Sequence, residues 1–140
     1  MASCSVIFIE GGSKRQRKLT LDCASFAWVQ LMPRIINCEI NFIIKKLKAY
    51  DGTCLDIDKR TFQIQVNKKL GLSDDFITTI FHEMVHVKQY IRKELFSEIN
   101  FYKTRDEYLN LPWEIEAYRL QEELLIKWKN QKTKYIGENL

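Results

Sequence analysis

The sequence predicts one α+β domain, residues 1–140, in which a small antiparallel or mixed sheet packs on helices. Three observations support this class. Short runs rich in β-branched and apolar residues are typical of strands, a long periodic segment after them is typical of an amphipathic helix, and a second helical pattern follows. A length of 140 residues is enough for one hydrophobic core.

The first half of the chain carries the predicted strands and one helix. Cys4–Ile9 is β-branched and apolar and precedes Gly11 and Gly12, which predicts a short first strand. Leu19–Met32 has the apolar spacing of an amphipathic helix, and Pro33 ends it. Three further runs predict an antiparallel sheet with one covered face: Ile40–Leu47, Thr53–Asp58 and Phe62–Val66.

The most strongly periodic helix follows the sheet. Ser73 is a good N-cap, and Asp74 and Asp75 in the first turn suit the helix dipole. Apolar side chains then gather on one side at a period of about 3.6 residues. They are Phe76, Ile77, Ile80, Met84, Val87 and Ile91.

The C-terminal part predicts one more helix. Residues 94–109 are irregular and rich in aromatic side chains, which favours a loop with a short element. The helix is expected to begin at Asn110 as its N-cap, with Pro112 in the first turn, and to end near Lys129. We expect the polar and basic segment Asn130–Leu140 to be a flexible tail.

The composition excludes several classes of protein. Hydrophobic residues make up 46% and charged residues 29% of the chain, which excludes a disordered or low-complexity protein. Its apolar runs are far shorter than the roughly 20 residues of a membrane span, and its start does not resemble a secretory signal. The four cysteines form no C-x-x-C pair. We therefore expect reduced thiols and a cytoplasmic location, in the producing or a host cell.

The two histidines of the chain, His82 and His86, form the pattern H-E-x-x-H inside the periodic helix. Positions i and i+4 stack on one helix face, so both imidazoles can reach one metal ion. Glu83 is offset from His82 by about 100°, where its carboxylate can take a proton from a water that the metal activates. Zinc suits imidazole ligands best. The alternative is a solvated helix face with ordinary polar histidines.

A catalytic zinc needs a third protein ligand and one open position. The last helix offers Glu114 and Glu116 on opposite flanks of its apolar stripe. Glu116 shares its flank with charged residues, which is typical of solvent exposure. Glu114 shares its flank with a half-apolar strip, Tyr118, Gln121 and Leu125. Glu114 is therefore the predicted third ligand, and an exposed helix charge is the alternative for either glutamate.

Two motifs carry a resemblance to a known family. Phe81–His86, followed by Pro112–Ala117, resembles the small gluzincin-type zinc metallopeptidases, in which a glutamate from a downstream E-x-x-A helix completes an H-E-x-x-H site. Minigluzincins and the peptidases that cleave phage repressors are similar. The resemblance covers about residues 60–125 and implies a zincin-like fold. It implies that His82, His86 and Glu114 bind one zinc ion and that Glu83 is the general base.

The resemblance further implies an endopeptidase that hydrolyses peptide bonds in a protein or peptide substrate. The strand Phe62–Val66 would lie near the cleft and pair with an extended peptide, and its Gln63 and Gln65 are compatible with an edge strand. An oxyanion needs a hydrogen-bond donor. Tyr108 is the candidate, since related enzymes place a tyrosine in that region, and Tyr118 is the second choice. The alternative for Tyr108 is a packed loop aromatic.

Two other functions remain open. One is a zinc-binding regulatory protein with little turnover, and the other is a nucleic-acid-associated protease similar to the SprT-like branch. That branch uses a third histidine and often a cysteine-rich zinc ribbon, which this sequence lacks. The net charge is only +4, and scattered basic stretches favour solvated faces over a nucleic-acid surface. They are Lys14–Lys18, Lys45–Lys48 and Lys127–Lys134.

Overall fold

A computed structural model describes residues 5–94 and 104–138, with 133–138 described by their backbone alone. Within these ranges the chain is an α+β structure with a small mixed sheet, which confirms the predicted class. The elements, in chain order, are β1 (Val6–Gly11), α1 (Lys14–Leu31), β2 (Glu39–Lys45), β3 (Gly52–Asp58), β4 (Thr61–Asn67), a 3-10 turn (Lys68–Leu70), α2 (Asp74–Ile91), α3 (Arg105–Leu109) and α4 (Pro112–Glu138).

The sheet has the strand order β1-β2-β4-β3. β1 is parallel to β2 and β2 is parallel to β4, whereas β3 is antiparallel to β4. The antiparallel arrangement expected for the central strands is therefore wrong for β2 and β4. The β3–β4 hairpin places β4 beside β2, and two reversals of chain direction leave these two strands parallel. Helix α1 is the crossover that a parallel β1–β2 pair requires.

β4 contains the predicted strand Phe62–Val66 and lies in the interior of the sheet, between β2 and β3. The expectation that this strand is an edge available to a peptide is therefore wrong. The alternation of apolar and polar residues in β4 indicates that one face of the strand is covered. It does not indicate whether the strand pairs with one neighbouring strand or with two. Gln63 and Gln65 lie on the opposite face, where the Gln65 amide donates to Gln63 Oε1 at 3.2 Å. The edge strand on this side is β3.

The hydrophobic core lies between the covered face of the sheet and the helices α1 and α2. On the sheet side, the core consists of alternate residues of β2 and β4: Ile40, Phe42, Ile44, Phe62, Ile64 and Val66. Helix α2 is buried on nearly all sides, because α4 packs on the side that faces away from the sheet. Helix α2 therefore contacts α1, the sheet and α4. None of the helices described combines the length and apolar composition that crossing a membrane requires.

The helix boundaries differ from those predicted at several ends. α1 begins at Lys14, before the predicted Leu19, because Ser13 and Gln16 form a capping box with two 3.0 Å hydrogen bonds. Asn110 ends α3 and does not cap α4; its side chain donates to Asp106 O at 2.7 Å. The predicted short element and the first-turn position of Pro112 are confirmed.

The predicted end of the last helix near Lys129 is also wrong, since α4 continues to Glu138. The segment expected as a flexible tail from Asn130 is helical in the described part, and residues 139–140 lie outside it. It contains no proline, and its lysines and glutamine are good helix formers. The predicted first strand begins at Val6, and Cys4 lies outside the described residues.

Gly52 lets the edge strand β3 begin directly against α2. A Cβ atom at Gly52 would lie 2.5 Å from Thr79 Cγ2, 3.2 Å from Gln65 O and 3.3 Å from Glu83 Oε2. Only a residue without a side chain fits this space. The contact fixes the distance between β3 and the helix turn that carries Glu83.

We predict that Gly52→Ala destabilises the fold by about 1–3 kcal/mol, because the new methyl group overpacks the contact with Thr79. Urea denaturation measures the change. The matched variant is Gly52→Ala with Thr79→Ser, which removes Thr79 Cγ2 and keeps the hydroxyl that bonds Asp75 O at 2.7 Å. It should recover part of the loss. Equal stability of wild type and Gly52→Ala would contradict the close approach of β3 to α2.

Candidate metal centre

The packing of α4 on α2 brings three predicted ligands together. Glu114 Oε1 lies 2.9 Å from His86 Nε2, and Glu114 Oε2 lies 3.2 Å from His82 Nε2. The two Nε2 atoms are 3.2 Å apart. Ligand atoms of all three side chains lie within 4.8 Å of one another, close enough to bind one metal ion. Local structure explains this geometry, because the histidines share one face of α2 and Glu114 lies in the first turn of α4.

The three side chains are buried. Only 9% of His82, 8% of His86 and 2% of Glu114 is exposed. The alternative of a solvated histidine face is therefore wrong, because α4 covers the side of α2 that lies opposite the apolar stripe. The buried stripe of α4 that makes this contact consists of Ala117, Leu124 and Trp128.

Glu114 and Glu116 have different roles. Glu116 Oε1 accepts hydrogen bonds from Lys88 Nζ and Gln89 Nε2, each at 3.0 Å, and it is not part of the ligand cluster. The alternative interpretation of Glu116 as an exposed helix charge does not hold either, because Lys88 and Gln89 both donate hydrogen bonds to its carboxylate. The sequence choice of Glu114 over Glu116 agrees with this geometry.

The chemistry of the cluster fits a cation. Glu114 Oε2 is buried and accepts no hydrogen bond, although His82 Nε2 is nearby. Burial raises the pKa of Glu114, but the adjacent imidazoles of His82 and His86 outweigh burial and lower the pKa to about 2. The carboxylate is therefore ionised at neutral pH. A buried anion with an orphaned oxygen and two facing ring nitrogens is a donor set that a divalent cation satisfies.

Glu83 lies beside the cluster without being part of it. Its side chain is buried and lines a cavity of about 410 Å³. Burial raises the pKa of Glu83, and the charges of His86 and His82 pull it down only in part. The predicted general base is thus a buried carboxylate that faces open space next to the ligands, and this is the position that proton transfer needs.

The cavity is bounded by the start of β3 and by α2, α3 and α4. Residues that line it include Gly52, His82, Glu83, Tyr108, Tyr118 and Gln121. The Tyr108 hydroxyl donates to Glu114 Oε1 at 3.0 Å. Burial, followed by the charge of Glu114, raises the pKa of Tyr108, so the hydroxyl keeps its proton. Tyr108 therefore belongs to the site and is not only a packed loop aromatic.

Tyr118, the second tyrosine candidate, also reaches the site. Its ring centroid lies 4.6 Å from that of His82, and burial raises the pKa of its hydroxyl. Tyr118 and Tyr108 lie on different helices but line the same cavity. Which of them donates to an oxyanion stays a prediction.

Two glutamines complete the surroundings of the histidines and were not predicted as site residues. His82 Nδ1 lies 2.8 Å from Gln121 Oε1, and His86 Nδ1 lies 2.7 Å from Gln89 Oε1. A sequence signal existed, because Gln89 shares the histidine face of α2 and Gln121 shares the Glu114 flank of α4. Helical spacing does not reveal that these two faces meet.

The cysteines of the described chain take no part in the cluster. Cys23, Cys38 and Cys54 are free thiols, and Cys4 lies outside the described residues. Burial raises the pKa of Cys23 to about 12 and that of Cys38 to about 11. These thiols therefore stay protonated at neutral pH.

Side chains from the basic stretches make structural contacts. Arg17 donates to the carbonyl oxygens of Gly11 and Gly12 at 3.1 and 2.9 Å. Lys129 pairs with Asp74 across the α2–α4 contact.

Comparisons of the chain with protein-family models, with curated proteins and with solved structures gave no match. The evidence for a metal centre is therefore the geometry of this chain's own residues. The resemblance to gluzincin-type peptidases stays a prediction from its two motifs.

Proposed function

We propose that this protein is a zinc-dependent metallopeptidase that hydrolyses peptide bonds in a protein substrate. The observation that carries the proposal is the position of Glu83, a buried carboxylate that lines a cavity directly beside the His82, His86 and Glu114 cluster. A purely structural zinc site has four protein ligands and needs no general base. Three ligands, an acidic neighbour and an adjoining cavity favour catalysis.

His82, His86 and Glu114 would hold the zinc ion. When bound, zinc supplies Lewis-acid chemistry, because it lowers the pKa of water toward 7 and polarises a carbonyl group. The Glu83 carboxylate takes the proton of the attacking water and returns it to the leaving amine. Tyr108 donates a hydrogen bond to the developing oxyanion once its hydroxyl turns from Glu114 Oε1 toward the substrate.

An extended peptide is the substrate that the cavity favours, with β3 as the strand that binds it. β3 pairs with β4 on one side and forms the outer edge of the described sheet on the other. Gly52, its first residue, lines the cavity. A peptide that adds to this edge gains main-chain hydrogen bonds and runs beside Glu83. In this proposal β3 takes the role that the resemblance to gluzincin-type peptidases implies for Phe62–Val66.

We predict that Glu114→Ala lowers zinc affinity by more than the roughly 10–100-fold loss typical of outer-shell substitutions, because it removes a ligand. Competition with a chromophoric chelator measures the affinity. Glu123→Gln is the matched control on the same helix, since Glu123 pairs with Arg119 at an exposed position. If Glu114→Ala binds zinc as tightly as Glu123→Gln, Glu114 is not a ligand.

We predict that Glu83→Gln keeps one zinc per chain and loses about 10²–10⁴-fold in the rate of peptide-bond cleavage, because the amide cannot accept the proton. The test combines metal analysis with cleavage of an unfolded protein substrate, and chelation should abolish wild-type activity. Cleavage by Glu83→Gln at the wild-type rate would contradict the role of Glu83. Zinc binding without cleavage by either protein would favour a regulatory zinc-binding protein.

A further inference from the structure

Each histidine of the metal centre turns its second ring nitrogen toward a glutamine oxygen. The distances are 2.7 Å from His86 Nδ1 to Gln89 Oε1 and 2.8 Å from His82 Nδ1 to Gln121 Oε1. A neutral imidazole carries one proton, and the nitrogen without it carries a lone pair. The glutamine contacts therefore bear on which nitrogen of each ring can bind a metal.

The Gln89 amide has only one orientation that satisfies its neighbours. The side chain is fully buried, and its Nε2 donates to Trp113 O at 2.9 Å and to Glu116 Oε1 at 3.0 Å. Both of these partners are acceptors, so the amide nitrogen must face them. Oε1 is then left to face His86, which must supply the hydrogen from Nδ1.

Glu116 holds Gln89 and is itself fixed by Lys88. Lys88 Nζ lies 3.0 Å from Glu116 Oε1 and 3.1 Å from Glu94 Oε2, and the lysine is only 8% exposed. Charge-assisted hydrogen bonds of this kind hold geometry well. A chain of contacts therefore runs from the end of α2 through Glu116 and Gln89 to His86.

Gln121 contacts His82 in the same way that Gln89 contacts His86, but its side chain lies at the wall of the cavity. Its Nε2 donates to Glu122 Oε1 at 3.2 Å, which again leaves Oε1 for the histidine. This side chain is partly exposed and lines the cavity. A carboxylate could replace the amide here without the loss of a buried hydrogen bond.

The Glu114 carboxylate favours a hydrogen on the other nitrogen of each ring, Nε2. It lies 2.9 and 3.2 Å from the two Nε2 atoms and would accept a hydrogen from either. A ring with its hydrogen on Nε2 has no lone pair there for a metal. The glutamine oxygens thus compete with Glu114 for the position of the ring hydrogen.

We propose that Gln89 and Gln121 are positioning residues that hold the hydrogens of His86 and His82 on Nδ1, so that both Nε2 atoms present lone pairs to the metal. The proposal depends on the metal centre of the proposed function and does not depend on peptidase activity. Hydrogen-bond partners of ligating histidines fix ring orientation and raise ligand basicity in this way.

Gln121→Met is the first test, because methionine keeps the length of the side chain and removes the carbonyl oxygen. Zinc affinity should fall about 10–100-fold. Gln121→Glu should bind zinc at least as tightly as wild type, since a carboxylate oxygen accepts the same hydrogen. Gln131→Met, at an exposed position of the same helix, is the matched control and should leave the affinity unchanged.

Gln89→Glu should weaken zinc binding, whereas Gln121→Glu should not. A glutamate at position 89 has no amide hydrogens for Trp113 O and Glu116 Oε1, and it places a second carboxylate beside Glu116. We expect a loss of zinc affinity of about 10–100-fold for both Gln89→Glu and Gln89→Met. Circular dichroism of each variant establishes that it is folded.

Nitrogen-15 spectra of the histidine rings supply a readout that a merely structural role does not change. In the metal-free protein with neutral rings, wild type should carry both hydrogens on Nδ1. Gln121→Met should move that of His82 to Nε2, and Gln121→Glu should restore it. If Gln121→Met and Gln121→Glu bind zinc equally, or both spectra match wild type, the proposal is wrong. None of these measurements involves cleavage, so an inactive protein would refute the peptidase function and leave this test intact.

Discussion

The convergence of one buried carboxylate on two stacked imidazoles is the interaction on which the rest of this structure depends. Isolated charges are costly to bury, and here the Glu114 carboxylate faces two imidazoles while its Oε2 atom accepts no hydrogen bond. Helix α2 can be buried on almost every side only because α4 brings Glu114 to its polar face. The site and the α2–α4 packing are therefore a single structural unit.

The parts of the site that follow from local geometry were predictable. The i, i+4 spacing places His82 and His86 together on any helix, and Glu83 follows from the same rotation. The choice of Glu114 over Glu116 follows from the neighbours on the two flanks of one helix. The contact of Gln121 with His82 was not predictable, because it joins two helices and helical spacing does not encode that contact. Gln89 lies three residues after His86 on α2, so their contact follows from helical spacing, whereas the α4 partners that orient the Gln89 amide do not.

The errors in the fold prediction have the same origin. The alternation of Phe62–Val66 correctly indicated a covered face, but strand order depends on pairing between distant segments, and β4 lies inside the sheet. The start of α1 was a different kind of error. The Ser13 and Gln16 capping box is a local sequence signal that starts the helix before its apolar pattern begins.

X-ray absorption spectroscopy of the zinc-loaded protein reports which atoms are bound to the metal. We expect two imidazole nitrogens at about 2.0–2.1 Å, a carboxylate oxygen at about 2.0–2.2 Å and one further light-atom ligand from solvent. His82→Ala or His86→Ala should remove the scattering of one imidazole ring. Sulfur at about 2.3 Å, or two imidazole rings still bound in either variant, would contradict this metal centre.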